Sequence, residues 1–293
     1  MDLPFVESDL AAAEACLAEG DVEAAQAMLE RMVDEAEGYV VAECPASDDV
    51  QYFSFPTTFD RLAYRRVERD PRRLVQVPVP LDRLYADAAF AYIKREDWEE
   101  AKSALSQAVR WNPMNCAYRL DLAELYRLGD DVREWAALSF SVLERASEGR
   151  HVCRAYVNLG NLYLSEGNLA VARGCAVLAG KFDAAYEGLG VLVGRLSEAG
   201  EDAERIDDDA AVSAVESEGL PVGANAEIAV CLLMCASDAV REGDRAEATR
   251  FALKARGLVG EATATALMQL INESDAELAA ERAAGGPKGE GNA

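Results

Sequence analysis

Histidine and closely spaced cysteine pairs are scarce in this chain, and their scarcity excludes the commonest metal and nucleophile chemistries. The 293 residues include one histidine, His151, and seven scattered cysteines without a Cys-x-x-Cys pair. A zinc site needs about four such ligands at close spacing, and His151 has no partnered nucleophile with which to form a triad. The odd number of dispersed thiols argues against disulfides and for a reducing compartment. We expect no metal, no cofactor and no enzymatic activity.

Basic residues and long apolar runs are also few. The 53 acidic residues outnumber the 29 basic ones and leave a net charge of −24, which repels nucleic-acid phosphates and anionic lipid. The longest apolar stretch, residues 228–236, is far too short to cross a bilayer. The opening MDLPFVESDL lacks the basic start and apolar run of a secretory signal. We therefore predict a cytoplasmic protein for which nucleic acid and membranes are poor partners.

What the chain does contain is a recurring pattern of small and apolar residues. Alanine, leucine and glutamate dominate, and this composition favours helices. The same spaced pattern occurs twice, once in Tyr156, Leu159, Gly160, Tyr163, Gly167, Ala172, Ala176 and Ala179, and once in Tyr85, Ala88, Ala89, Tyr92, Ala101, Leu105, Ala108 and Pro113. Each occurrence indicates a helical hairpin that cannot bury its apolar face alone, so we expect neighbouring hairpins to stack.

These two stretches resemble the tetratricopeptide repeat family. The resemblance is close over 82–115 and 153–182 and partial over 9–37, 116–150 and 225–258. The segments ALSQAVRWNPMNC and RAYVNLGNLYLSEGNLAVA are also similar to uncharacterised bacterial proteins that contain these repeats. The resemblance implies an all-α, right-handed solenoid of stacked antiparallel hairpins. It also implies non-catalytic binding of a protein or peptide.

The chain divides into five predicted parts. They are a degenerate helical hairpin over 1–37, an irregular insertion over 38–81, core repeats over 82–182, C-terminal hairpins over 183–279 and a disordered tail over 280–293. The insertion contains five prolines, which block a continuous helix, so we expect short extended pieces and one helix near 60–68. Within the fourth part, we predict a mobile acidic connector over 198–218 and a final helix that caps the open end of the stack.

The first helix of each repeat lines the concave face in this family, and the resemblance therefore supplies candidate binding residues. They are Arg83, Phe90 and Lys94 from the first core unit, Leu120 and Arg127 from the second, and Arg154, Asn158, Asn161 and Ser165 from the third. Asparagine amides can hold a peptide backbone, and arginine can bind a carboxylate through two hydrogen bonds. Asp87 and Glu124 would oppose a carboxylate. The asparagines are equally compatible with an ordinary solvated surface.

The insertion suggests other functions, which the residues alone leave open. Its basic cluster consists of Arg61, Arg65, Arg66, Arg69, Arg72 and Arg73, and it follows the aromatic residues Tyr52, Phe53, Phe55, Phe59 and Tyr64. Arginines beside aromatics can bind single-stranded nucleic acid, an acidic protein partner, or the acidic N-terminal hairpin of the same chain. Phe53 and Phe55 could form a self-association surface. A ligand-sensing or enzymatic module around Cys44 is the remaining alternative.

Overall fold

The computed structural model describes residues 3–200 and 207–284, which form fourteen helices and one small sheet. The helices are α1 (Glu7–Glu19), α2 (Val22–Glu43), α3 (Thr58–Glu68), α4 (Leu81–Lys94), α5 (Trp98–Trp111), α6 (Cys116–Leu128), α7 (Val132–Arg145), α8 (Gly149–Ser165), α9 (Leu169–Phe182), α10 (Glu187–Glu198), α11 (Asp208–Ser217), α12 (Ala226–Glu242), α13 (Arg245–Val259) and α14 (Glu261–Ala284). Strands β1 (Val50–Phe53) and β2 (Arg73–Gln76) pair in parallel. None of the described helices is both long enough and apolar enough to cross a membrane.

Consecutive helices pack in pairs, which confirms the predicted all-α class. The pairs are α1 with α2, α4 with α5, α6 with α7, α8 with α9, and α12 with α13. Neighbouring pairs contact each other through α2 and α4, α5 and α6, and α7 and α8. Alanines at 88, 101, 108, 123 and 172 are buried between these helices, and their small side chains allow the helix axes to approach closely.

The same turn joins the two helices of each hairpin. A residue with positive φ comes first, and it is Gly20, Glu96, Asp130, Gly167 or Gly243. An aspartate or asparagine follows, and in four of the five turns its side chain accepts a hydrogen bond from the backbone N–H three residues later, at 2.9 to 3.4 Å. This bond satisfies one of the free donors at the start of the second helix. A local sequence signal therefore explains why the hairpins recur.

The insertion begins later than the sequence indicated. Helix α2 continues through the predicted boundary at residue 37 and ends at Glu43, because Tyr39 still packs in the core and the first helix-breaking proline is Pro45. The expected extended pieces and helix are confirmed as β1, β2 and α3. The backbone N–H of Ser54 donates to the carbonyl oxygen of Trp111 at 2.9 Å, which fastens the insertion to the end of α5.

Most aromatic residues of the insertion are buried, so Phe53 and Phe55 do not present the exposed surface that self-association through them would need. The rings of Phe53 and Phe55 stack with centroids 4.6 Å apart, and Tyr64 lies 4.5 Å from Phe53. Phe53 and Phe55 are both buried. Together with Phe59 they form an apolar core that attaches the insertion to the repeats.

The predicted acidic connector is only partly a connector. Residues 201–206 lie outside the described part of the chain, but α11 packs closely against α9 through Ala211 and Val215, which are both fully buried. Asp207 caps α11 by accepting from the N–H groups of Asp209 and Ala210. The acidic composition concealed a helix that docks through one fully buried alanine and one fully buried valine.

The C-terminal hairpin of α12 and α13 turns back onto the insertion. Helix α12 packs against α3, the Phe251 ring lies 5.9 Å from Phe59, and the Asn225 amide donates to the carbonyl oxygen of Glu144 at 2.8 Å. Helix α14 then covers α12 and α13. It includes the first residues of the predicted disordered tail, and residues 285–293 lie outside the described part.

Candidate functional site

The first helices of several neighbouring pairs contact each other, and α8 also contacts the following helix, α10. Helix α1 contacts α4, α6 contacts α8, and α8 contacts α10. We call their outward side the first-helix face, and most of the predicted binding residues belong to it. The structure shows which of these side chains are available to a partner.

Two of the candidate arginines form ion pairs with the preceding first helix. The Arg83 guanidinium contacts the carboxylates of Glu7 and Glu14 at 2.6 Å each, and Arg154 contacts Asp121 at 2.9 Å. Both arginines are the second residue of their repeat units, which begin at 82 and 153, and both reach back to the preceding first helix. Arg83 and Arg154 therefore join neighbouring repeats instead of being free to bind a carboxylate ligand.

Asp87 occupies the same repeat position as Glu14 and Asp121 but lacks a matching arginine. The second residue of the next unit, where Arg83 and Arg154 stand in theirs, is Ala117. One carboxylate oxygen of Asp87, Oδ2, is buried without a hydrogen-bond partner. Burial and the nearby Glu14 carboxylate raise the pKa of Asp87 to about 7. Because Ala117 stands where the other units have an arginine, the Asp87 carboxylate lacks the ion-pair partner that Glu14 and Asp121 have.

The two candidate asparagines also have partners within the chain. The Asn158 amide donates to the hydroxyl of the buried Ser139 at 3.0 Å, and the Asn161 amide donates to the carbonyl oxygen of Val157 at 2.9 Å. The amide oxygen of Asn161 accepts from Arg195. These bonds link α8 to α7 and α10, so a peptide would have to share or displace them.

The remaining candidates differ in exposure. Leu120 is fully buried, so its side chain belongs to the core and its assignment as a binding residue is wrong. The Ser165 hydroxyl donates to the carbonyl oxygen of Leu162 at 2.6 Å, and the Arg127 guanidinium is held by Glu124 at 3.0 Å. Phe90 is 43 % exposed, with the Lys94 ammonium 5.1 Å from its ring centroid. Phe90 and Lys94 are therefore the candidates with the most accessible apolar surface.

An apolar cleft between two neighbouring hairpins was not predicted from the sequence. It has a volume of about 320 Å3 and lies where the turn of α4 and α5 meets the turn of α6 and α7. Its walls are formed by Trp98, Glu99, Lys102, Leu125, Leu128 and Gly129, and we call it the turn-edge cleft. Trp98 and Leu128 are 43 % and 57 % exposed. Trp98 directly follows Asp97 of the turn between α4 and α5. A large apolar side chain at the start of a helix is the sequence signal that could have indicated this cleft.

The arginines of the insertion are largely paired, though not with the predicted N-terminal hairpin. Arg72 contacts the Asp70 carboxylate at 2.7 Å and holds the pKa of that carboxyl well below its usual range. Arg65 donates to the carbonyl oxygen of Asp70 at 2.8 Å, and Arg66 lies 3.6 Å from Glu227 of α12. Arg66 therefore reaches the C-terminal hairpin, whereas Arg65 and Arg72 hold the Asp70 loop within the insertion.

Cys44 is buried rather than presented as a nucleophile, and burial raises the pKa of its thiol. Only the thiolate reacts readily, so we expect iodoacetamide at neutral pH to alkylate the partly exposed Cys16 several-fold faster than Cys44. Peptide mass spectrometry over a time course measures both rates. Faster modification of Cys44 would restore the reactive-thiol interpretation of the insertion.

A polar cavity of about 160 Å3 lies between the insertion, the repeat connections and α13, and sequence reasoning missed it as well. Its walls include Asp60, Asn115, Glu148, His151, Arg250 and Lys254. These residues come from four separate stretches of chain, and no local pattern connects them. We call it the junction cavity. Among the described residues, no group of three or more metal-ligating side chains is found, there or elsewhere.

No protein-family model matches this chain, and no curated protein is similar enough to count as a match.

Proposed function

We propose that the protein is a non-catalytic scaffold that binds another protein or a peptide on a right-handed solenoid of tetratricopeptide type. The paired helices, the recurring turn and the arginines between successive first helices support this architecture. In such a stack each repeat contacts only its neighbours and leaves an extended surface for partners. The cysteines are all unpaired, which agrees with a reducing compartment.

The observation that carries the binding proposal is a group of exposed apolar side chains on two adjacent hairpins. Phe90, Trp98, Leu128 and Val132 are each between 43 and 57 % exposed, and Trp98 and Leu128 line the turn-edge cleft. Exposed apolar surface that is grouped in this way marks interaction sites. Tryptophan in a pocket is also the residue type that most often dominates binding energy.

The charges around the turn-edge cleft indicate the chemistry of the partner. Glu99 lines the cleft, and the two turns and the helix starts that follow them also contain Glu96, Asp97, Glu100, Asp130, Asp131 and Glu134. Fewer basic residues lie among them, and Lys102 is already paired with Glu99 at 2.6 Å. A segment with lysine or arginine beside a large apolar side chain would complement both the cleft and its rim. We propose such a segment as the ligand, with Phe90, Lys94 and the polar residues of α8 extending the contact.

The double substitution of Trp98 and Leu128 by alanine tests this proposal. Partners isolated with the intact chain from its native cells should bind the double variant at least tenfold more weakly, because the loss of two apolar anchors removes about 2 to 4 kcal/mol. Titration calorimetry with the purified partner measures the change. Val41→Ala is the matched control, since Val41 is 83 % exposed on α2 and lies in neither surface. Equal affinity for the double variant and the control would exclude the turn-edge cleft.

A further inference from the structure

The junction cavity is formed where the chain departs from the repeat pattern. The insertion supplies Thr57 and Asp60, α13 supplies Lys254, and the connection before α8 supplies Glu148. The walls are fastened to each other, because the Lys254 ammonium lies 2.8 Å from the Glu148 carboxylate. The cavity is thus a preformed space between three parts of the fold, and it is separate from the first-helix face and the turn-edge cleft.

One acid in the junction cavity retains an available oxygen. Asp60 Oδ2 accepts from the backbone N–H and the hydroxyl of Thr57 at 3.2 and 2.5 Å, whereas no donor from residues 3–200 or 207–284 is seen bonded to Oδ1. Glu148 differs, because its two oxygens contact Lys254 at 2.8 Å and Arg150 at 2.7 Å. Asp60 is therefore the acceptor with which a positively charged group in the cavity would pair.

Donors for a negative group lie in the same cavity. The Lys254 ammonium has three N–H groups and one carboxylate partner, Glu148. The oxygen of the Asn115 side chain caps α6 by accepting from the Ala117 N–H at 3.0 Å. Its NH2 group donates one hydrogen to the Tyr118 hydroxyl and has a second for another acceptor. His151 also lines the cavity, and burial lowers its pKa, so its imidazole is neutral at pH 7 and donates one hydrogen bond.

We propose that the junction cavity binds a small zwitterion, namely a free α-amino acid, with its ammonium on Asp60 and its carboxylate on Lys254 and Asn115. A ligand with only a negative charge would be repelled by the carboxylates of Asp60 and Glu148. A ligand with only a positive charge would be repelled by Lys254 and Arg250. A molecule that carries both charges satisfies both sides. The volume of about 160 Å3 is similar to that of an engineered cavity that holds benzene, so the ligand has a small side chain.

The single histidine provides a direct test. In an untagged chain, the imidazole proton resonances can only come from His151, which lines the cavity. Titration with glycine, L-alanine, L-serine and L-threonine should give a saturable shift with at least one of them at concentrations below about 10 mM. Acetate and methylammonium, which each carry half of the charge pattern, should bind at least about tenfold more weakly. Absence of a saturable shift with all four amino acids, or equal binding of either half-ligand, would overturn the proposal.

Charge-neutral variants assign the two ends of the ligand. Asp60→Asn and Lys254→Met should each weaken amino-acid binding by about tenfold or more. Asp9→Asn is the matched control for Asp60, because Asp9 also accepts from the N–H three residues before it, at the start of α1. Lys181→Met is the matched control for Lys254, because Lys181 is an exposed lysine in the last turn of α9 and does not line the cavity. If the folded Asp60→Asn and Lys254→Met proteins bound the amino acid with unchanged affinity, the assignment of the two ends would be contradicted. If Asp60→Asn fails to fold, Lys254→Met alone still decides the test.

Discussion

Replacing Gly174 with alanine is expected to separate α11 from α9. A Cβ atom at this position would lie 2.3 Å from the carbonyl oxygen of Ala211 and 2.7 Å from its carbonyl carbon. These are backbone atoms of α11, which cannot move aside as a flexible side chain could. The whole helix would have to shift, and the burial of Ala211 and Val215 would be lost.

The expected cost of this substitution is about 3 kcal/mol of unfolding free energy, which is the upper end of the usual range for overpacked sites, because the contacted backbone cannot relax. Urea unfolding gives the total change, and hydrogen exchange should show that amides over 208–217 lose their protection while those of α4 and α5 keep it.

Gly190→Ala is the matched control. Gly190 also lies within a helix, α10, but a Cβ there would meet no atom within 4 Å. Alanine should leave stability unchanged or raise it by about 0.5 to 1 kcal/mol, since glycine is the poorer helix former. A Gly174→Ala protein as stable as Gly190→Ala, with α11 still protected, would show that α11 is not held against α9 at this contact.

Replacing Asp87 with asparagine is expected to stabilise the protein above pH 7 and to reduce the pH dependence of its stability. Burial and Glu14 raise the pKa of Asp87 to about 7 in the folded chain, whereas an unfolded aspartate has a pKa near 3.9. Between these values the folded state binds a proton that the unfolded state does not. The free energy of unfolding should therefore fall as pH rises from about 4 to 7. Asparagine cannot ionise, so this contribution disappears.

The size of the Asp87 effect is limited by solvent. A shift of three pKa units would correspond to about 4 kcal/mol, and partial exposure of the side chain reduces the expected difference to about 1 to 2 kcal/mol. Urea unfolding of both proteins at pH 5 and pH 8 measures it. Asp60 and Asp82 also have raised pKa values, so they too make the free energy of unfolding depend on pH. The Asp87 contribution is therefore the difference in unfolding free energy between the unchanged protein and Asp87→Asn, not the pH dependence of either protein alone.

Ala117→Arg provides the opposite test at the same site. It would place an arginine where Arg83 and Arg154 stand in their own units, and the new guanidinium should lower the pKa of Asp87 towards the ordinary value. Stability at pH 8 should then rise while Asp87 remains ionised. If Asp87→Asn showed the same pH dependence as the unchanged protein, and Ala117→Arg gave no gain, the missing arginine would have no energetic consequence.

The hairpins were predictable because their signals are local. The cap residues Asp21, Asp131 and Asn168, together with alanines at helical spacing, act over three or four residues, and each predicted hairpin is present. The helical end of α2 and the helix α11 were missed for a related reason. Tertiary burial of Tyr39 and Ala211 outweighed a composition that favoured irregular chain.

The candidate surface was less predictable, because availability depends on distant neighbours. Arg83 resembles a free binding residue until Glu7 and Glu14, about seventy positions earlier, are brought against it. Trp98 resembles a turn residue until Leu128 forms the opposite wall of the turn-edge cleft. Repeat position can identify which side chains point outwards, but it cannot show which of them already have partners.

Helical periodicity, turn chemistry and a high acidic charge are properties of short stretches, and they sufficed to specify an all-α chain of paired helices with a repeating turn. The folding back of α12 and α13 onto the insertion is different in kind. Lys254 meets Glu148 across 106 positions of chain, and Phe251 meets Phe59 across a still longer separation. Such contacts depend on the complementary shapes of surfaces that exist only after the helices have packed, so the junction cavity and its mixed charges became visible only in three dimensions.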